Sequence, residues 1–404
     1  MQEEQTVLII GAGRLQVPVI KKAKEMGMHT VATDYSTSAP GLALSDDRII
    51  ISTRDIDGSV REARRYHREI RHIDGVLTVG TDASMTVAAV ANALGLPGIR
   101  FINAEAASNK LKMRSRLHEH AVPCPRFGEC WTLDDALDHF NRLGRGPVVL
   151  KPSDNMGARG VSRADDEAGI RSAFAFAKEA TPSGEVIIEE YMEGPELSID
   201  ALVYRGEIHI TGVADRLIAR PPWFVETGHI MPSNLPPAMQ EDAIRVFVAG
   251  IKALGIDMGA AKGDIKVTPT GAMVGEIAAR LSGGFMSAYT YPYSSGVDLM
   301  ANAIRIALGQ PPRGLEEKLG RVSMESAIIP PPGRVIAIRG LEEALALRGV
   351  RHVFLNVDIG DVVVTPRSNV EKAGHIIAVG ETREDAIRII EAAQKAIQIE
   401  TGPL

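Results

Sequence analysis

The chain has 404 residues, with 45 Lys and Arg against 51 Asp and Glu and a formal net charge of −6 at pH 7. At about 150 residues per domain, this length favours two or three domains. Hydrophobic residues make up 45% and charged residues 24% of the chain, which is average for folded proteins and disfavours a disordered or fibrous chain. The acidic balance, without a block of like charges, disfavours a nucleic-acid or anionic-membrane binder.

The chain contains two cysteines, Cys124 and Cys130, so the sequence indicates neither a disulfide framework nor a paired zinc motif. The start, MQEEQTVLII, has no basic region before its apolar run and is typical of a first strand rather than a secretory signal. The uncharged stretch at residues 83–99 is interrupted by polar residues, glycine and proline and is a poor membrane span. We therefore expect a cytoplasmic protein.

Residues 1–105 alternate apolar runs with amphipathic stretches, as in VLIIGAG, VIKKAKEMG, TVATD and GVLTVG. This alternation predicts a Rossmann-like domain whose parallel strands gather Gly11–Gly13, Asp34 and Gly80–Asp82 at one edge. The loop GAGRLQ imitates a dinucleotide-binding fingerprint, but Gln16 replaces the third glycine. A dinucleotide-dependent oxidoreductase is therefore a remote alternative.

Two proline-rich segments divide the rest of the chain. AVPCPRF follows a charged helix that begins at Asn109, and QPPRG stands near residue 311. We predict a middle domain over residues 106–310, with a subdomain at about 124–190, and a small α+β domain over residues 311–404. The fold class is then a combination of α/β and α+β units.

Two carboxylates, Asp264 and Glu276, stand on strands joined by the turn signal at 268–271. We expect hairpin pairing to bring their side chains together on one face. Oxygen ligands suit Mg²⁺, which usually bridges one or two carboxylates to substrate phosphates. From these residues alone, two solvated strand carboxylates are the alternative.

Two lysines and a glycine-containing loop suit phosphate binding. Lys110 begins a helix, and Lys151 ends the apolar strand VVLK. The loop SDNMGARGV, with Gly157 and Gly160, can fold backbone N–H groups over phosphate. The next strand ends in EEYMEGPE, which suits an adenine hinge followed by a ribose acceptor. Taken singly, each lysine is more typical of a surface lysine, and the glycine loop is weak evidence. The alternative for EEYMEGPE is an exposed acidic strand end.

In this order, the segments resemble the ATP-grasp superfamily of the carboxylate–amine ligase type, over nearly the whole chain. The resemblance implies an ATP-grasp fold with an N-terminal Rossmann-like (pre-ATP-grasp) domain, a lid subdomain at about 124–190 and a small C-terminal α+β domain. It implies that Asp264 and Glu276 hold the metal and that the following residues bind ATP: Lys110, Lys151, Ser153, Gly157, Gly160, Glu189, Glu190, Met192 and Glu196. Many members carry Asn two residues after the second carboxylate, where this chain has Ala278.

The resemblance also implies catalytic and acceptor-site residues. Arg280 would neutralise the phosphates or an acyl phosphate. His229, in the segment FVETGHIMPSNLP, would accept a proton from the incoming amine or bind the acyl phosphate. The alternative for His229 is a structural loop histidine satisfied by the backbone. Residues expected to line the substrate pocket are Gly13, Asp82, Glu226, Ser233, Gly283 and Gly284.

The predicted reaction is the joining of a small carboxylate, such as an amino acid, to an amine with ATP and Mg²⁺, or Mn²⁺ in its place. It would pass through an acyl phosphate and release ADP and phosphate. The group of enzymes that the chain resembles contains amino-acid ligases, glycinamide ribonucleotide synthetase, biotin carboxylase and carbamoyl phosphate synthetase. A purine-pathway or carboxyphosphate-forming or carbamoyl-phosphate-forming enzyme is the second reading, and a nucleotide-binding protein without catalysis is a remote one. The expected partners are small molecules and a second copy of the chain.

Overall fold

The structure is a computed structural model that describes residues 4–404, so residues 1–3 of the predicted N-terminal domain lie outside it. Among the helices of this described part, none is long and apolar enough to cross a membrane.

The N-terminal unit is a parallel sheet in the order β3-β2-β1-β4 with helices packed on it. Its strands are β1 (Thr6–Ile10), β2 (His29–Asp34), β3 (Asp47–Ile50) and β4 (Gly75–Leu77), and its helices are α1 (Val17–Glu25), α2 (Ile56–Glu69), α3 (Ser84–Leu94) and α4 (Phe101–Ser108). Val7 and Ile9 belong to one apolar cluster, while Leu8 and Ile10 belong to another. Burial of both faces explains the uninterrupted apolar run of the first strand and confirms the predicted βα alternation.

Helix α5 (Lys110–Glu119) is capped by Asn109, whose side chain accepts a hydrogen bond from the Lys112 N–H at 2.9 Å. A second unit follows this helix. Its elements are β5 (Phe127–Cys130), α6 (Leu133–Arg142), β6 (Val148–Pro152), β7 (Ser162–Ala164), α7 (Glu167–Ala180) and β8 (Val186–Glu190). The strands form an antiparallel sheet in the order β5-β8-β6-β7, with an apolar core of their own. This unit covers the range predicted for the lid subdomain.

The middle of the chain supplies β9 (Glu196–Tyr204), β10 (Glu207–Ala219), β11 (Val225–Met231), α8 (Pro237–Leu254), β12 (Met258–Thr268) and β13 (Gly271–Ala278). Helix α8 packs on the back of the hairpin β12–β13 through Phe247, which lies against Gly263, and through an apolar cluster that includes Ile265 and Ile277. Because side chains alternate along a strand, Asp264 points to the other face of the sheet.

The last third begins with a π-helical turn (Met286–Thr290), α9 (Tyr291–Ser295) and α10 (Leu299–Ala307). It continues with β14 (Val322–Ile328), β15 (Gly333–Arg339), α11 (Leu341–Ala346), β16 (Val350–Leu355), β17 (Val362–Val363), a 3-10 turn (Asn369–Glu371), β18 (Gly374–Gly380), α12 (Arg383–Ala396) and β19 (Gln398–Gly402). Three of these strands extend the middle strands into one eight-stranded sheet, in the order β13-β12-β9-β10-β11-β14-β18-β16. The others form the small sheet β17-β15-β19. The predicted boundary at 105 falls within α4, and that at 310 falls between α10 and β14.

Candidate active site

One row of polar side chains crosses five neighbouring strands of the eight-stranded sheet. The strand register places them side by side in the order Lys266, Glu196, Arg216, His229 and Glu325. Residues directly opposite in antiparallel strands point to the same face. The row therefore gathers groups that are far apart in the sequence into one continuous polar surface above the sheet.

Asp264 and Glu276 are direct cross-strand partners, which confirms the predicted hairpin pairing. Asp264 is buried and accepts a hydrogen bond from Lys262, and its Oδ2 lies 3.5 Å from an Arg216 nitrogen. The Glu276 carboxylate lies 3.5 Å from the Lys110 ammonium. Burial by itself would raise the pKa of Glu276, but the surrounding cations, Lys110 first, lower it to about 2. Glu276 is therefore ionised at neutral pH.

These two carboxylates are a small donor set for a metal. Residues 4–404 contain no cluster of three or more His, Cys, Asp or Glu side chains arranged to hold an ion. Two carboxylates completed by substrate phosphates fit Mg²⁺, which keeps several of its waters, and do not fit a closed structural zinc site. Ala278, at the position where many ATP-grasp members carry Asn, presents only a buried methyl group and offers no further oxygen.

The predicted nucleotide residues surround a single cavity between the lid sheet and the eight-stranded sheet. It is lined by Lys110, Lys151, Gly157, Glu189, Glu190, Met192, Glu196, Asp264 and Glu276. Ser153 and Gly160 are not among the residues that line it. The Ser153 carbonyl accepts the backbone N–H of Lys110 at 2.8 Å. Gly160 has φ +73°, and a Cβ there would press against Ala180 and Pro152, so both positions shape the loop.

Glu189 is buried and both its carboxylate oxygens are occupied. One oxygen accepts from Arg114 Nε at 2.8 Å and the other lies 2.7 Å from Lys151 Nζ. Burial opposes ionisation, but Arg114 and Lys151 overcome it and lower the pKa of Glu189. Glu189 therefore anchors Lys151 at the cavity wall. Sequence reasoning missed Arg114, although it stands one helical turn after Lys110, at the i+4 spacing that places both on one face of α5.

The strand end at Glu190 can offer adenine only part of the predicted hinge. The Glu190 N–H donates to the Arg126 carbonyl at 3.0 Å, so only its carbonyl oxygen could accept the adenine amino group. Its carboxylate is bound to Arg126, with Nε at 2.8 Å. Met192 lines the cavity two residues further on. Glu196, the predicted ribose acceptor, pairs with Arg216 in this structure, and Lys266 lies 3.4 Å away.

A second cavity of about 540 Å³ adjoins the first. Its lining brings together most of the predicted acceptor residues: Asp82, Glu226, His229, Arg280, Gly283 and Gly284. Gly13 and Ser233 are not among its lining residues. Ser233 is instead turned to Asp215 Oδ1, to which its hydroxyl donates at 2.5 Å. The Gly13 carbonyl accepts the Gln16 N–H within the loop after β1.

The two cavities meet at Asp264 and Glu276. Gly157, Arg216, Asp264 and Glu276 line both of them. A triphosphate lying in the first cavity and a carboxylate lying in the second would therefore approach each other at Asp264 and Glu276. This is the geometry that phosphoryl transfer requires, since that reaction depends on positioning and charge neutralisation.

Arg216 is the main functional residue that sequence reasoning missed. Its side chain is 12% exposed, lines both cavities and donates to Glu196 and to Glu226. Burial opposes its charge, but Asp264 and Glu226 raise the pKa of Arg216 above its ordinary value. The sequence carries no signal for it, because its partners come from three other strands.

His229 lies in strand β11, so the interpretation of this segment as a loop is wrong. The partner of its ring is also not the backbone, because Nδ1 lies 3.1 Å from the Glu325 carboxylate. Glu226, three residues earlier, is ionised: burial opposes this, while Arg216, His229 and Lys372 hold the pKa of Glu226 well below its usual range. Lys262 and Lys372 line the same cavity and were also missed.

The glycine loop after β1 is closed to a dinucleotide. Gln16 is buried, and its side-chain amide donates to the Val79 carbonyl. A Cβ on Gly11 or Gly13 would lie 3.2 Å from the Gln16 side chain, so this side chain fills the space next to the loop. Asp34 accepts the Ala12 N–H at 3.1 Å, a backbone contact within this loop region.

Comparison with known proteins identifies two domain families in the chain. A family model described as ATP-grasp domain matches residues 145–288, and one described as L-amino acid ligase C-terminal domain 2 matches residues 326–402. The formate-dependent phosphoribosylglycinamide formyltransferase of Ignicoccus hospitalis is 25% identical over 420 residues, which cover 98% of this chain and 96% of that protein. Carnosine synthase 1 of Gallus gallus is 27% identical over 340 residues, which cover 77% of this chain and 36% of that protein.

Among solved structures, an L-amino acid ligase from Bacillus licheniformis superposes with a TM-score of 0.85 at 22% identity and covers 100% of both chains. The phosphoribosylglycinamide synthetase of Anaerococcus prevotii superposes with a TM-score of 0.78 at 20% identity, covering 99% of this chain and 100% of that one. The likeness extends over all the units described above. Residues 145–288 therefore match an ATP-grasp domain and residues 326–402 an L-amino acid ligase C-terminal domain 2, and the fold of the whole chain is that of the two solved enzymes.

Proposed function

We propose that the protein joins a small carboxylate, an amino acid in the first instance, to an amine at the expense of ATP, through an acyl phosphate and with ADP and phosphate as products. The observation that carries this proposal is the meeting of the two cavities at Asp264 and Glu276. One cavity has the lysines and the strand-end backbone that a nucleotide needs. The other has the cations and carboxylates that a small zwitterion needs.

In the nucleotide cavity, Lys110 and Lys151 face the phosphates, and the loop at 153–161 closes over them. Asp264 and Glu276 would hold Mg²⁺, or Mn²⁺ in its place, and the metal would supply charge neutralisation and alignment of the phosphate oxygens. The Glu190 carbonyl and the Met192 backbone would take the adenine edge. Glu196 would turn from Arg216 to the ribose hydroxyls.

In the acceptor cavity, Arg280 offers a guanidinium to a carboxylate, and its buried Nε has no hydrogen-bond partner within the described residues. Glu226 and Asp82 offer carboxylates to an ammonium group. Burial raises the pKa of Asp82, so an adjacent substrate ammonium would favour its charged form. Groups of both signs in one cavity suit a free amino acid, which carries both charges.

The choice of an amino acid over other carboxylates also draws on the match of residues 326–402 to the L-amino acid ligase model. The near full-length similarity to a formate-dependent formyltransferase supports a second candidate, a purine-pathway or carboxyphosphate-forming or carbamoyl-phosphate-forming enzyme. A cytoplasmic location is supported by two free cysteines, Cys124 and Cys130. Assembly with a second copy remains a prediction.

The test is a panel of amino acids, formate and bicarbonate, each labelled with ¹⁸O in the carboxylate, supplied with ATP, Mg²⁺ and an amine. An acyl phosphate transfers one labelled oxygen to the released phosphate, which mass spectrometry detects together with the amide. Lys110→Met should abolish turnover, while Lys21→Met, at an exposed position on α1, should not. Release of AMP, unlabelled phosphate alongside amide, or binding of NADH without binding of ATP would overturn the proposal.

A further inference from the structure

A buried carboxylate outside both cavities joins two histidines that line the acceptor cavity. We infer that Glu325 is a positioning residue that fixes His229 and His375 with their Nε2 atoms turned to the acceptor, so that His229 can take a proton from the amine. The inference rests on the proposed function and adds to it a residue that the site itself does not expose.

The three residues come from three adjacent strands, β11, β14 and β18. Glu325 accepts from His229 Nδ1 at 3.1 Å through Oε2 and from His375 Nδ1 at 2.5 Å through Oε1. Glu325 is 1% exposed, His229 3% and His375 8%. Both histidines line the acceptor cavity and Glu325 does not. The carboxylate thus lies behind the two rings, and the rings lie between it and the substrate space.

This arrangement sets the tautomer of each ring. A carboxylate accepts hydrogen bonds, so each Nδ1 must carry its proton, and in the neutral ring Nε2 then carries the lone pair. Both oxygens of Glu325 are used in this way. The orientation of His229 is therefore determined by Glu325 and not by the backbone.

Glu325 places a single carboxylate between the two rings, in a buried position. The charged groups that face the pair are Arg216 from β10, Glu226 from β11 and Lys372 from the segment before β18. Two of these are cations and one is an anion, so the pair faces groups of both signs at the acceptor cavity.

The proton accounting of amide formation leaves a place for such a base. The acceptor enters as an ammonium ion, and one proton passes from its nitrogen to His229 Nε2. The free amine pair then attacks the carbonyl carbon of the acyl phosphate, so that the C–N bond forms and the C–O bond to phosphate breaks. The bonding pair and the second nitrogen proton leave with phosphate, and the protonated ring afterwards returns its proton to water.

Hydroxylamine tests whether Glu325 acts through removal of a proton from the amine. It is neutral at pH 7.5 and reacts with an acyl phosphate without losing a proton first. With an amino-acid acceptor, Glu325→Gln should lower kcat by about 100-fold, the scale of general-base catalysis, and leave the KM for ATP within about twofold. With hydroxylamine, hydroxamate formation should fall by less than about threefold. Glu325→Asp should recover part of the amine activity. Glu381→Gln, at an exposed position after β18, is the matched control.

Equal loss with both acceptors, or no loss with either, would overturn the inference. The ring tautomers of the intact wild-type protein give a second measurement, which needs no variant and no substrate. In ¹⁵N spectra of histidine-labelled protein, His229 and His375, assigned by single His→Gln variants, should show protonated Nδ1. A protonated Nε2 with bare Nδ1 would overturn the role of Glu325. A wild type that makes neither amide nor hydroxamate would refute the proposed function, while the spectra would still decide the positioning.

Discussion

The backbone N–H of Asn369 donates a hydrogen bond to the carbonyl oxygen of Gly157 at 2.9 Å. Gly157 belongs to the loop at 153–161, and Asn369 begins the 3-10 turn before β18. The Asn369 side chain in turn accepts the Glu226 N–H at 2.8 Å. Asn369, in the last third of the chain, thus contacts both the loop at 153–161 and strand β11, which carries residues of the acceptor cavity.

Two substitutions at Asn369 separate these contacts. Asn369→Ala loses the side-chain contact to Glu226 and keeps the N–H, whereas Asn369→Pro loses both. Proline is tolerated here because Ser368 already has an extended backbone, with φ −149° and ψ 168°, and because the position opens a helical turn.

Loss of one backbone hydrogen bond, at about 0.5–1.5 kcal/mol, should make the loop open ~2- to 10-fold more often in the proline variant than in the alanine variant. Tryptic cleavage after Arg159, followed by mass spectrometry, measures this ratio. ATP with Mg²⁺ should slow cleavage in the wild type. Equal cleavage of both variants would show that the Gly157 contact does not restrain the loop.

Replacing Arg216 should destabilise the protein more than its position between two cavities suggests. Arg216→Met leaves the buried Asp264 and the half-buried Glu196 and Glu226 without their common cation, although Lys262 and Lys266 remain. Removing one partner of a buried ion pair costs at most about 3–5 kcal/mol. Arg216→Lys keeps the charge but cannot serve several carboxylates with one fork of donors. We expect the order wild type, Lys, Met in thermal midpoint, measured by calorimetry without ligand. A methionine variant as stable as the wild type would mean that these carboxylates are solvated.

The stability of the protein should depend on pH through Asp200. This carboxylate is fully buried, accepts from the Ser282 hydroxyl at 2.6 Å, and has an Oδ1 without a partner among residues 4–404. Burial raises its pKa from 3.8 to about 6, although Ser282, Lys262 and Arg280 act the other way. The native state therefore holds this proton more tightly than the unfolded state does. Stability contributed by the protonated form is complete below pH 3.8 and is lost as the pH rises to about 6.

Asp200→Asn should consequently stabilise the protein at pH 7.5, by up to about 3 kcal/mol, and have little effect near pH 4. Thermal midpoints of both proteins across this pH range give the difference curve. Asp74→Asn is a suitable control for a half-buried acid elsewhere in the fold. A difference that is constant with pH would contradict the burial of a charge at Asp200.

Glu276→Gln should affect both the reaction and the stability of the protein. Phosphate release with the true substrates should fall by at least ~100-fold, the scale of removing one strong electrostatic stabiliser from a transition state. Because Lys110 and three other cations surround Glu276, the apo protein should also melt at a lower temperature. A magnesium series should not restore the rate. Glu207→Gln, at an exposed strand end, is the control, and near-normal turnover of Glu276→Gln would place the metal elsewhere.

The sequence by itself determined the features that depend on contacts close along the chain. Asp264 and Glu276 face each other because a four-residue turn sets the register of their hairpin. Lys151 ends an apolar strand, and Gly157 follows within its loop, so their neighbourhood is also local. The alternation of residues 6–94 determined the parallel sheet, since buried strands and amphipathic helices differ in their apolar period.

Only the tertiary structure decided which distant groups share the site. His229 and Glu325 are 96 residues apart and meet because β11 pairs with β14, a choice that no local pattern encodes. Arg216 acquires its partners in the same way, from strands on both sides of β10. Ser233, by contrast, is close to His229 in sequence and yet bonds to Asp215 instead of facing the cavity. Long-range strand pairing depends on how the whole chain buries its apolar surface, so side chains such as Glu325 receive their role only when that packing is complete.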